Sequence, residues 1–228
     1  MRHCMLLCAA LLLGGGGVGA AHGADLPVLG GVHYSVPVKS IKEVRRASTM
    51  LQQYDFSCGS AALATLLTHH YDYPANERTI FEDMYARGDQ QKIRKEGFSL
   101  LDMKNFLEAR GFRADGFQQP LEKLAEAGIP AIVLISENGY NHFVVIKGLR
   151  GDRVLLGDPA SGTRVMPRAL FDAVWKNKLL FVVHNRIEQA KFNLATDWRA
   201  APLAPLAAGV ARDSLSSVTL PKFGPGDF

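Results

Sequence analysis

Cysteine is scarce, with three in 228 residues, at positions 4, 8 and 58. Cys4 and Cys8 lie in a stretch with a basic start (Arg2, His3), an apolar run from Met5 to Leu13, a glycine-rich break and small residues at Ala21 and Gly23. That pattern predicts a signal peptide over 1–23, cut near Ala21-His22-Gly23 or after Ala20. Its rival is an uncleaved membrane anchor, against which stand the Gly14–Gly17 run and a length at the bottom of the spanning range. Cys8 follows Leu6-Leu7 with no small residue before it, which argues against a lipoprotein attachment site. Once the leader is removed, Cys58 is left alone in a chain expected in the periplasm, so no disulfide framework can form within it. A leftover thiol in an oxidising compartment points to reactivity or intermolecular bonding. Excess charge is also missing, since the net charge is +4 and falls to +3 without the leader's single arginine, with both signs interspersed. A nucleic-acid partner, which calls for a clustered basic face, is therefore not expected.

What is present centres on Leu51-Gln52-Gln53-Tyr54-Asp55-Phe56-Ser57-Cys58-Gly59-Ser60-Ala61-Ala62-Leu63. Gly59 to Leu67 are small or good helix formers without proline, which puts Cys58 in a first helical turn. There the unpaired N–H groups and the helix dipole favour an anion, so the thiol is expected to have a depressed pKa. The competing reading is a buried structural cysteine.

Around that segment the chain reads as α+β. An N-terminal arm over 24–40 with alternating Val32, Tyr34, Val36 and Val38 is extended or an edge strand. The nucleophile helix runs to about His69 and is followed by a helix from Asn76 or Glu77 to Ala86 and a charged loop from Arg87 to Gly97. Ser99 and Asp102 frame a capping box for a helix over Leu100–Leu107, closed near Gly111. A short helix follows over Pro120–Ala127. Strands are expected at Ala131–Ile135, Tyr140–Leu149, Val154–Leu156 and Leu179–Val183, with Asn138-Gly139 as a hairpin turn and a helix over Arg168–Trp175. Helices first and an antiparallel sheet after them make this α+β rather than alternating βαβ. The domain is placed at 41–187, with an Ala/Pro/Gly-rich, partly disordered tail over 188–228.

A cysteine nucleophile needs a base, an acceptor that orients the base, and a donor for the developing oxyanion. His142 starts an apolar strand and Asp158 ends the next one, so a single hairpin can bring them together. Gln52, six residues before the thiol, can donate to the oxyanion together with the Cys58 N–H, with Gln53 as the rival donor. His69-His70 could be half of a metal site, but adjacent histidines face different sides of a helix and no Cys or carboxylate pair completes a ligand set. His184 reads as a surface residue at a strand end. No cofactor is called for.

Gln52, five residues, Cys58-Gly59, an alanine-rich helix, Gly97-Phe98-Ser99-Leu100, and His142 followed sixteen residues later by Asp158-Pro159 resemble the bacteriocin-processing, double-glycine family of papain-like cysteine peptidases. The resemblance covers about Val36 to Asn185. It implies a papain-like fold in which helices carrying the nucleophile pack on a C-terminal antiparallel sheet. It also implies Cys58 and His142 as the catalytic pair, Asp158 as orienter and Gln52 as oxyanion donor. More narrowly, the leader, the Gln-Gln-Tyr-Asp-Phe-Ser-Cys-Gly run and the stand-alone domain resemble peptidases of bacterial functional-amyloid secretion. That implies a protein or peptide substrate such as an amyloid subunit, or an outer-membrane exporter as partner, and a role in biofilm formation. The chain shows no ATP-binding segment, so any transporter is a separate chain. A non-hydrolytic peptide-binding module or chaperone is the alternative function.

Overall fold

The computed structural model describes residues 24–27, 33–36 and 39–201. The expected signal segment and the stretch after Ala201 lie outside them. The segment before Ile41 is a unit by itself. Within it, β1 (Ala24–Pro27) and β2 (His33–Val36) pair antiparallel with Ala24 opposite Val36, so the arm is a hairpin of its own.

The rest of the described chain begins with α1 (Ile41–Arg46) and α2 (Cys58–Thr65). Every residue of α2 is buried, as expected for a helix that is small or apolar all round and therefore has no face for water. It continues into a π-helical turn, Leu66–His70, which ends ahead of Pro74. Next comes α3 (Glu77–Arg87), capped by Asn76, whose side chain accepts from the Arg78 N–H at 2.8 Å. The charged loop expected from Arg87 to Gly97 is instead mostly helix, α4 (Gln90–Glu96). Asp89 caps it by accepting from Gln91 and Lys92, and only Ile93 is buried. With one apolar residue the helix carries no periodicity to read, so its cap is its only sequence signal. The Ser99/Asp102 capping box of α5 (Leu100–Glu108) is formed, and Met103, Phe106 and Leu107 are buried beneath it.

The sheet has six antiparallel strands in the order β3-β8-β4-β5-β6-β7. They are β3 (Ala114–Phe117), β4 (Ala131–Glu137), β5 (Tyr140–Arg150), β6 (Arg153–Asp158), β7 (Gly162–Pro167) and β8 (Leu180–Val183). Helices α6 (Glu122–Ala127) and α7 (Arg168–Val174) sit between strands in the chain. Asn138 and Gly139 turn β4 into β5 with φ of 51° and 82°, the left-handed pair that a two-residue hairpin needs. Strands β3 and β7 were not expected. The former contains Asp115 and Gly116, and the latter follows directly on Asp158-Pro159, so neither shows a clean apolar pattern.

Cores lie on both faces of the sheet. On one face Phe143 and Val145 join α2, α3 and α5 residues, and on the other Val144 and Ile146 join α6 and α7. This explains the unbroken Phe143-Val144-Val145-Ile146 run: a central strand covered on both sides has no solvent face to alternate toward. The stretch 188–201, grouped with the tail on composition, packs on the domain as a 3₁₀ turn (Ile187–Gln189) and α8 (Ala195–Trp198). Trp198 and Asp197 are buried there, so the packed domain runs past 187.

Candidate active site

Cys58 is the first residue of α2 and is 7% exposed. The loop before it is folded by Ser57, whose Oγ accepts from the Tyr54 N–H at 3.1 Å and donates to the Tyr54 carbonyl at 3.0 Å. Ser57 thus spends its hydroxyl on the loop and makes no side-chain cap bond to the helix. A Cβ on Gly59 would lie 3.0 Å from Phe98 Cβ, so glycine after Cys58 lets the start of α5 close against α2. The expectation of a depressed thiol pKa is not met. Burial pushes the Cys58 thiol up and the Asp158 charge adds to that, outweighing the backbone donors of Phe143, Gly59 and Cys58 itself. The helix start acts in the expected direction, but desolvation is the larger effect in a site this closed.

His142 and Asp158 lie at the expected places on β5 and β6 and are both buried. His142 Nε2 is 3.5 Å from Asp158 Oδ2, close enough for an ion pair and too long and misdirected for a hydrogen bond, and neither imidazole nitrogen has a hydrogen-bond partner. Asp158 is otherwise fully engaged: Oδ1 accepts from the Ala160 N–H at 2.8 Å and Oδ2 from Arg164 Nε at 2.8 Å. Burial raises its pKa, but the nearby His142, the Ala160 N–H and the Arg164 charge prevail and hold it at about 2. Arg164 also forks onto Glu137 at 2.5 and 3.3 Å. Neither Arg164 nor Glu137 was singled out from the sequence, because a long-range pair between two strand ends has no spacing signature.

Gln52 is tied to the same corner, with its N–H donating to the Pro159 carbonyl at 3.0 Å. Its side-chain Nε2 donates to the Tyr54 carbonyl at 3.0 Å and the Asp55 carbonyl at 3.4 Å, while Oε1 is buried without a partner. To serve an oxyanion the amide has to give up the longer of these bonds. The rival, Gln53, is exposed and borders a separate pocket with Met50, Leu51 and Pro74. Tyr140, also missed, stacks on His142 with centroids 5.5 Å apart and donates from its hydroxyl to the Asp55 carbonyl at 2.8 Å.

Two of the histidines read as alternatives, His70 and His184, are held by structural partners. Fully buried His70 shares Nδ1 with the Lys191 carbonyl at 2.6 Å, and burial lowers its pKa to about 4. His184 pairs with Asp115 at 2.9 Å. Donor atoms of Glu137, His142 and Asp158 lie within 4.8 Å of one another, but the Arg164 guanidinium already bridges the two carboxylates. A metal ion there would have to displace that cation, so the donor set does not fit one.

The Peptidase C39 family profile matches residues 46–186. The chain belongs to the peptidase C39 family. A Pseudomonas fluorescens protein named "Probable functional amyloid protease FapD" is 39% identical over 183 residues, covering 80% of each chain. Its namesake from Pseudomonas aeruginosa is 42% identical over 154 residues, covering 68% of this chain and 67% of that one. Among solved structures, the peptidase domain of Streptococcus ComA, a bifunctional ABC transporter, superposes with a TM-score of 0.50 at 19% identity, over 60% of this chain and 97% of that domain. This last likeness supports the fold. The chain is a cysteine peptidase of papain-like fold, and Cys58 is the only cysteine among its described residues.

Proposed function

We propose that this peptidase is exported to the periplasm and cleaves a secreted protein or peptide of a functional-amyloid system through Cys58, His142, Asp158 and Gln52. The observation that carries the site reading is the convergence of Cys58, His142 and Asp158 at one end of the sheet. The buried thiol starts α2 against the Phe143 backbone, and the neighbouring His142 faces a carboxylate held ionised. A thiol kept neutral by burial needs a base at the moment of attack, and His142 Nδ1, free of partners, is the nitrogen available for that role. Asp158 on Nε2 fixes the tautomer that leaves Nδ1 able to accept the proton. Attack on the carbonyl forms a tetrahedral oxyanion, which the Cys58 N–H and the Gln52 amide would stabilise. His142 then protonates the leaving amine, and water releases the acyl-enzyme.

The amyloid link is supported by the two relatives' name, and an amyloid subunit or an outer-membrane exporter is the corresponding partner. Periplasmic export and a part in biofilm formation follow from the leader pattern and the same link. The test compares wild type with Cys58→Ala and His142→Ala in the native host. Both variants should accumulate unprocessed substrate in the periplasmic fraction, and Cys58→Ala should retain it in a pull-down. Normal export with Cys58→Ala would replace cleavage with a holding role.

A further inference from the structure

We propose that Arg164, anchored by Glu137, is a positioning residue for the catalytic pair: it sets how much of the Asp158 charge reaches His142, and hence the pH range in which Cys58 reacts. The inference rests on the cysteine-peptidase reading of the site given above.

One oxygen decides the matter. Asp158 Oδ1 is taken by the Ala160 N–H, whereas Oδ2 receives Arg164 Nε at 2.8 Å and faces His142 Nε2 at 3.5 Å. The guanidinium therefore holds the oxygen that the imidazole needs and competes with it for the same charge. The other edge of the guanidinium is forked onto both oxygens of Glu137. Glu137 ends β4 and Arg164 lies on β7, and in sheet order β5 and β6 run between those strands. The pair thus reaches across the strand ends that carry His142 and Asp158. A lone ion pair at a protein surface contributes little, but a planar fork fixed on one carboxylate and aimed at another determines where the second one points.

The charge count gives the sign. Glu137, Asp158 and Arg164 together present one net negative charge to His142. The other titratable groups of the corner are Cys58 on α2, Tyr140 on β5 and Asp55 in the preceding loop, each coupled to the site electrostatically. Removing the arginine leaves two negative charges, which disfavours the Cys58 thiolate and moves its ionisation to higher pH. Neutralising Glu137 instead leaves Arg164 and Asp158 to cancel, so no net negative charge remains and the thiolate forms at lower pH. A purely structural clamp would lower reactivity or stability without moving a titration limb in opposite directions for the two changes.

The experiment measures the rate of Cys58 carbamidomethylation by iodoacetamide in the full chain against pH, read by mass spectrometry on the peptide carrying Cys58. Arg164→Met should move the acid limb up by about one pH unit, the lower end of what a paired cation does to a neighbouring acid. Glu137→Gln should move it down, and Arg164→Lys, which keeps the charge, should leave it near wild type. If Arg164→Met does not fold, the downward shift in Glu137→Gln and the retained limb in Arg164→Lys carry the test. His142→Ala is the control, and an unchanged profile there would overturn the catalytic pair itself. With His142→Ala altered as expected, no shift in Glu137→Gln, or shifts of one sign for both charge changes, would overturn the role of Arg164.

Discussion

Asp158 is a buried carboxylate that stays charged because the Ala160 N–H, the Arg164 guanidinium and the nearby His142 outweigh its desolvation, and that makes it a residue on which stability depends. Its folded pKa of about 2 lies below the ordinary carboxylate value, so folding favours the ionised form. The contribution is therefore fully present above about pH 4 and is lost as pH falls through about 2. A depression of that size corresponds to about 2 kcal/mol at neutral pH. Asp158→Asn should accordingly lose about 2 kcal/mol in urea unfolding at pH 7 and about half that at pH 3. An equal loss at both pH values would mean that the charge is not what stabilises the site. The variant should also process substrate poorly at pH 7, because an amide in place of the carboxylate no longer favours the His142 tautomer with Nδ1 free.

Elements with a local cause were legible in the sequence. The capping box at Ser99 and Asp102, the Asn138-Gly139 turn and the apolar Phe143–Ile146 run each announce themselves within a few residues, and they place His142 at a strand start. Cys58, His142 and Asp158 could be read as a candidate set because Cys58 is the thiol left after the leader and starts a helix, and a hairpin joins the other two. What stayed hidden depends on distant partners: β3 exists only by pairing with β8, and α8 by docking into the core. The second case turns on Lys147, a fully buried lysine whose Nζ donates to the Ser48 carbonyl and hydroxyl at 2.8 and 2.7 Å and faces Asp197 Oδ2 at 3.0 Å. Ser48 in turn donates to Asp197 Oδ1 at 2.5 Å. The segment beyond the family match therefore neutralises a charge inside it. Asp197→Ala leaves that charge buried and unpaired, at a cost of about 3–5 kcal/mol, whereas Lys147→Met combined with Asp197→Leu should come close to wild type. Chemical denaturation of both variants distinguishes an ion pair needed for packing from one that packing merely tolerates.

At the scale of the molecule, the site is a seam between a helical half carrying Cys58 and Gln52 and a sheet half carrying His142 and Asp158. Among the hydrogen bonds that cross it are Gln52 N–H to the Pro159 carbonyl at 3.0 Å, and Tyr140 hydroxyl to the Asp55 carbonyl at 2.8 Å. The first is backbone to backbone and cannot be removed by a side-chain change, whereas the second hangs on one phenol at the tip of the β4–β5 hairpin. Tyr140 is 50% exposed, so water can replace its bond and Tyr140→Phe should cost under about 1 kcal/mol of global stability. Its effect belongs to local opening instead, since segments held by few buried contacts exchange their amides through fluctuations well below global unfolding. Tyr140→Phe should speed amide exchange at residues 54–57 and at the hairpin tip together, while the ring still stacked on His142 keeps β5 protected. Tyr140→Ala should add faster exchange at His142. If the phenylalanine variant loosens the hairpin tip but leaves residues 54–57 unchanged, the phenol does not couple the two halves.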